Sequence, residues 1–176
     1  MFFCRKHRLS KIAVFTGLAL SVFSAAALAA STATLVKTHK AWSVYSFEGA
    51  SKKVCFAASS PKTTKPKGAS RSSIYFYISN WPNEGVKTEI SVRLGYPIKP
   101  GSSVGVRIGG KTFNLFAKDN NAFVADAIEE LKLIDAMKAG STMTISAVSS
   151  RGTKTTDGYS LSGITASLST LVSACK

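Results

Sequence analysis

A two-residue alternation of apolar and polar side chains recurs through most of this chain, and few folds tolerate it. In KTEISVRL (87–94), Ile90, Val92 and Leu94 fall on one side and Glu89, Ser91 and Arg93 on the other. Val104, Val106 and Ile108 repeat the pattern, Phe113 and Leu115 resume it, and Met143, Ile145 and Ala147 carry it once more. The stretches WSVYSF (42–47), KVCFAAS (53–59) and SSIYFYISN (72–80) are rich in the β-branched and aromatic residues of strands. Turn-forming stretches such as Trp81-Pro82-Asn83 and GYPIKPG (95–101) separate them. Short strands at close spacing predict a mainly β fold, an antiparallel β-sandwich.

Two segments leave this rhythm. IEELKLIDAMKA (128–139) places Ile128, Leu131, Ile134 and Met137 at helical spacing, with Asp126 as N-cap, Glu129 three residues on and Gly140 as terminator. ITASLSTLVSAC (164–175) aligns Ile164, Leu168, Leu171 and Cys175 on one helical face, with Ser162 as N-cap. The expected architecture is therefore a sandwich with a short internal helix and a C-terminal helix.

The compartment is written in the first thirty residues. Arg5, Lys6, Arg8 and Lys11 precede an apolar run from Ile12 to about Ala27, and Ala27-Leu28-Ala29 fits a small-residue cleavage site. Residues 1–29 thus read as a cleaved secretory signal peptide, which takes Cys4 with it. Residues 30–41 read as a lead-in and 42–176 as one domain, with no second apolar run long enough to span a bilayer. The processed chain is expected to be exported to the periplasm or cell envelope and not to span the membrane.

Two cysteines remain, Cys55 and Cys175. In an oxidising compartment an even pair predicts one disulfide. Closing a loop of that length stabilises by roughly 4–5 kcal/mol on the chain-entropy model. The bond would pin the terminal helix to the strand carrying Cys55.

The octapeptide GVRIGGKT (105–112) fits the phosphate-loop pattern G-x-x-x-x-G-K-[ST]. Such a loop needs a strand before it and a helix after it. Here the alternation of Val104, Val106 and Ile108 runs through the motif, and Phe113-Asn-Leu-Phe-Ala117 continues as another strand. Gly109-Gly110 instead predicts a two-residue type I′ hairpin turn. No nucleotide or other cofactor is implied.

Catalytic chemistry finds little support. The processed chain holds one histidine, His39, so a Ser-His-Asp arrangement would rest on it alone. A metal site would need a cluster of His, Cys or carboxylates. Glu129 and Glu130 are adjacent on a predicted helix and read as solvated surface acids. The chain is read as non-enzymatic, a hydrolase with an unrecognised site being the rival.

The formal charge of the full chain is +14; without residues 1–29 it carries 19 Lys and Arg against 9 Asp and Glu, or +10. Such a chain contacts polyanions and anionic lipid weakly, without specificity for nucleic acid. The one local cluster is PKTTKPKGASR (61–71), with Lys62, Lys65, Lys67 and Arg71 on an exposed, proline-extended loop. It is the leading candidate for anion contact. The polar stretch 149–163 is the second. Arg151 and Asp157 are placed to pair across a turn, with the Tyr159 hydroxyl bonded to backbone. As a ligand loop, Arg151, Lys154, Thr155, Thr156 and Tyr159 would supply the contacts.

The order of motifs carries a family resemblance. Asp135-Ala-Met-Lys-Ala-Gly140, a strand, Arg151-Gly-Thr153, Tyr159-Ser-Leu-Ser-Gly163 and Ala174-Cys175 follow one another. Upstream stand Trp42, Cys55, the strand Ile74–Ser79, Glu89-Ile-Ser-Val92 and Gly95-Tyr-Pro97. Together these resemble the invasion-associated locus B (IalB) proteins of alphaproteobacteria over residues 42–175. The resemblance implies an exported single-domain β-sandwich of immunoglobulin-like character with a role at the cell envelope. It implies no catalytic residue and no named partner, in the envelope or on a host cell. The expected function is a binding or structural module of the periplasm; the rival is a secreted or surface factor that binds an anionic ligand during invasion.

Overall fold

The computed structural model describes residues 32–49 and 52–176. The expected signal peptide, Cys4 included, lies outside the described residues. Eleven strands form one antiparallel sheet. In chain order they are β1 (Thr34–His39), β2 (Trp42–Glu48), β3 (Lys53–Ser59), β4 (Thr63–Lys65), β5 (Tyr75–Trp81), β6 (Val86–Arg93), β7 (Ser103–Ile108), β8 (Lys111–Lys118), β9 (Asn121–Phe123), β10 (Thr142–Val148) and β11 (Lys154–Ser160). Across the sheet the order is β1-β2-β3-β5-β6-β9-β8-β7-β10-β11-β4. Two helices, α1 (Ala127–Ala139) and α2 (Ile164–Ala174), complete the fold.

Strands remote in this order touch, so the sheet curls over and encloses its inner face. Phe76 of β5 meets Tyr159 of β11 edge to face at 6.2 Å between centroids, although five strands separate β5 from β11. Trp42 Nε1 donates to the Ser160 carbonyl at 3.1 Å, and the Ala41 amide donates to the Ser162 carbonyl at 3.2 Å. The alternating residues fill the interior as the pattern predicts. Ile90, Val92, Leu94, Val104, Val106 and Ile145 are all fully buried. Burial of each such side chain stabilises by about 1.5–3 kcal/mol before entropy is counted.

GVRIGGKT is a hairpin. Ile108 pairs with Lys111 across Gly109-Gly110, and β8 follows the turn where a phosphate loop requires a helix. Only Gly109 has positive φ (+57°). That is the sign pattern of a type II′ turn, not the type I′ expected from two glycines.

The expected lead-in over 30–41 contains a strand. β1 pairs with β2 along its length, with a register shift between Leu35 and Lys37. TLVKTH lacks alternation because it is an edge strand exposed on both faces, so neither face selects apolar residues. His39 Nε2 lies 2.8 Å from Thr170 Oγ1 on α2, a link between edge strand and helix.

Both helices form where expected but bury different residues. Asp126 caps α1, accepting from the amides of Ile128 and Glu129 at 3.0 Å. The buried side chains are Leu133, Ile134, Ala136 and Met137, whereas Ile128 and Leu131 are 67% and 59% exposed. The apolar packing of α1 therefore comes from its later turns. Glu129 reaches Lys132 instead of completing a capping box. Gly140 ends the helix at φ −92°, in extended conformation. On α2 the N-cap is Gly163, not Ser162. Its φ is +97°, and a side chain there would collide with the His39 carbonyl oxygen.

Glu130 is not a solvated acid. It is half-buried and accepts the Ile90 amide at 2.8 Å, at a stretch of β6 that β9 does not reach. It thus satisfies a backbone donor the sheet leaves open. Burial raises its carboxyl above the usual 4.5, opposed in part by the Ile90 hydrogen bond.

Cys55 and Cys175 form a disulfide with a Cα–Cα distance of 5.7 Å. It ties the end of α2 to β3 from within the core, where Cys55 is fully buried and Cys175 is 6% exposed. Protein purified without reductant should therefore show neither cysteine alkylated before reduction and both after unfolding with reductant. Two reactive thiols without reduction would contradict the pairing. Glu130 generates a pH prediction. A carboxyl raised in the folded state holds its proton more tightly there, so stability falls as pH rises from about 4.5 through the raised value. In thermal melts between pH 4 and 7, Glu130→Gln should gain on the wild type as pH rises; a constant difference would contradict this.

Candidate functional site

Two contiguous hollows, of about 320 and 370 Å³, share Ser70, Arg71, Tyr96, Ser149 and Arg151 in their walls. Together they form one cleft between three segments: residues 66–72, the turn 95–97, and the turn from 149 into the start of β11. The first hollow is also lined by Lys67, Thr153 and Thr155, the second by Ser72, Gly95 and Ser150. Hydroxyls and cations dominate this lining.

Arg71 is the strut of the cleft. Its Nη1 and Nη2 donate to Asp157 Oδ1 and Oδ2, both at 2.7 Å. Nε and Nη2 also donate to the Leu94 carbonyl, at 3.0 and 2.7 Å. The guanidinium carbon sits 4.8 Å from the Tyr96 ring centroid. The two side chains of the ion pair are 6% and 0% exposed. A buried carboxylate is tolerated here because a bidentate, further hydrogen-bonded guanidinium neutralises it.

Local backbone geometry brings the partners together. Gly95 adopts φ +76°, and a Cβ on it would lie 2.5 Å from the Ser72 carbonyl oxygen. Only glycine lets the 71–72 segment lie this close, with the Ser72 amide donating to the Gly95 carbonyl at 3.0 Å. The Tyr96 hydroxyl bonds Thr155 Oγ1 on β11. Burial, the largest effect, raises the Tyr96 phenol above its usual 10.0, so it stays neutral. Across the cleft, Ser149 Oγ accepts the Thr153 amide at 3.1 Å and closes the turn that carries Arg151.

The expected site residues divide. Lys67, Arg71 and Arg151 meet at the cleft, and Thr155 lines it. Lys62, Lys65 and Lys154 are exposed outside it, and Thr156 is not in its wall. Two expectations are overturned. Asp157 pairs with Arg71, not with Arg151 across the turn, because Asp157 points into the fold while Arg151 is exposed. Arg71 is accordingly an internal partner and not a free anion contact. Tyr159 is a core residue, 2% exposed, whose hydroxyl has no hydrogen-bond partner among the described residues where a backbone bond was expected. The 61–71 segment is also not wholly loop, since Thr63–Lys65 add strand β4 to β11.

Sequence reading missed Tyr96, Ser149 and Thr153. Tyr96 lay within a stretch read as a turn and as part of the family resemblance, and nothing in local composition marks the two hydroxyl residues as neighbours of the 66–72 segment.

Comparison with known proteins places this geometry. No curated protein matches the chain. Among solved structures, the crystal structure of invasion associated protein B from Bartonella henselae matches with a TM-score of 0.57 and 15% identity, covering 80% of this chain and 98% of that one. At that identity the likeness is one of fold. A family model described as invasion associated locus B (IalB) protein matches residues 42–172, and the chain therefore belongs to the IalB family.

Proposed function

We propose that this chain is an exported cell-envelope protein that acts as a non-catalytic binding module. Its cleft takes an anionic group, a carboxylate, sulfate or phosphate, of an envelope component. One observation carries the reading: Lys67 and Arg151 line a hollow whose wall holds no carboxylate, and Asp157, behind Arg71, is already neutralised by it. The cleft is left with uncompensated positive charge beside the hydroxyls of Ser70, Ser149 and Thr153. Those groups suit hydrogen bonding to an oxyanion.

The same lining speaks for binding over turnover. Its ionisable side chains are Lys67, Arg71, Arg151 and Tyr96. It holds no histidine, the commonest general base, and no carboxylate or cysteine. Export is supported by the basic, apolar and small-residue order of residues 1–29 and by membership of an invasion-associated family. No helix among the described residues is long and apolar enough to cross a membrane.

The test is a chemical-shift titration with inorganic phosphate and with acetate at low ionic strength. Lys67→Ala and Arg151→Ala should each weaken binding about tenfold, the loss of one charge-assisted hydrogen bond. Lys62→Ala and Lys154→Ala should leave it nearly unchanged. Equal weakening by all four substitutions would mean diffuse attraction to anions and would reject the cleft.

A further inference from the structure

The alternation that turns Val44, Cys55, Ala57, Phe76 and Ile78 inward puts a second set of side chains on the opposite face of β2, β3 and β5. That set is aromatic. Tyr45 and Phe56 stack at 5.2 Å between centroids, Phe56 meets Tyr77 edge-on at 5.9 Å, and Tyr77 lies 5.6 Å from Tyr75. All four rings are half-buried, in contact with one another. Leu35 of β1, 53% exposed, lies opposite Tyr45 and extends the strip to the sheet edge. At the other end Ser91 and exposed Arg93 of β6 stand opposite Tyr77 and Tyr75.

Each ring keeps part of its surface open to solvent. The disulfide from inward-facing Cys55 holds α2 on the other side of β3. A solvent-facing sheet surface is ordinarily polar, and contiguous exposed apolar surface on a soluble domain marks a contact site. Tyrosine is the side chain that supplies apolar area and a hydrogen-bonding tip together. Burial, the largest effect, raises the Tyr77 phenol above 10.0, so it remains a neutral donor and acceptor.

We propose that the strip Tyr45–Phe56–Tyr77–Tyr75, with Arg93 at its end, is a binding platform for an acidic polysaccharide. The flat C–H face of a pyranose stacks on an aromatic ring, and its rim hydroxyls meet the tyrosine hydroxyls, Ser43 and Ser91. Uronate carboxylates meet Arg93, which has no ion-pair partner among the described residues. Charge complementarity selects an acidic over a neutral glycan, since the chain is strongly basic overall. A hydrocarbon partner fits less well, because three of the four rings carry a hydroxyl. This surface is separate from the Lys67–Arg151 cleft and does not depend on it.

Calorimetric titration of the purified full chain with hexagalacturonate, cellohexaose and a dT12 oligonucleotide tests the assignment. Hexagalacturonate should bind, and cellohexaose more weakly. Tyr45→Ala and Tyr77→Ala should each reduce hexagalacturonate affinity at least tenfold, while Tyr77→Phe retains most of it. Arg93→Gln, at an exposed position that leaves folding intact, should lower hexagalacturonate affinity about fivefold without changing cellohexaose. In a Lys67→Ala/Arg151→Ala background, which removes the pull of the cleft on carboxylates, the losses from Tyr45→Ala, Tyr77→Ala and Arg93→Gln should persist. No hexagalacturonate binding, binding indifferent to Arg93 and the tyrosines, or tighter binding of dT12 lost in the same variants would each overturn the proposal.

Discussion

The buried pair of Arg71 and Asp157 joins three separate segments of the chain. Arg71 belongs to the segment between β4 and β5, Asp157 to β11, and the Leu94 carbonyl to the end of β6. An unpaired charge at either position would be strongly unfavourable in a site this dry. Each group is therefore held where the other is, and the walls of the cleft are held with them. The Tyr96 ring beneath the guanidinium and the Tyr96–Thr155 bond extend the same frame. Lys67 and Arg151, the cations left for a ligand, stand on segments this frame positions.

A second constraint closes the other end of the sheet. A curled antiparallel sheet needs its inner face sealed, and α2 does this beside β1, β2 and β3, fixed by Cys55–Cys175 and by His39–Thr170. Trp42 connects that end to β11 through its indole N–H and packs edge-on against Phe76. The positions that carry the family resemblance, Trp42, Cys55, Gly95, Tyr159, Gly163 and Cys175, thus include several that maintain closure. That is why the resemblance reported the fold well and said little about a ligand.

Period-two alternation made β6 through β8 and β10 legible, because one face of each is buried and selects apolar residues. The same logic fails at β1, which is exposed on both faces, and at β4, three residues long and polar. In α1 the spacing of Ile128, Leu131, Ile134 and Met137 was real, yet only the last two of these are buried. The outward rings of Tyr45, Phe56 and Tyr77 sit in strands that were recognised, but which face stays open is decided by where α2 docks. The cleft was least legible. Arg71 and Asp157 lie eighty-six residues apart and are brought together where β4, a three-residue polar strand, pairs with β11, so a local reading assigned Asp157 to its sequence neighbour Arg151.

The account rests on Arg71 and Asp157 acting as one unit, and a double-mutant cycle measures that directly. Denaturant unfolding of Arg71→Met, Asp157→Leu and the double variant gives the coupling energy. Each single substitution should cost about 3–5 kcal/mol by stranding its partner, and the double should cost well under their sum. Single losses below about 1 kcal/mol that simply add would contradict the claim that this pair holds the cleft together.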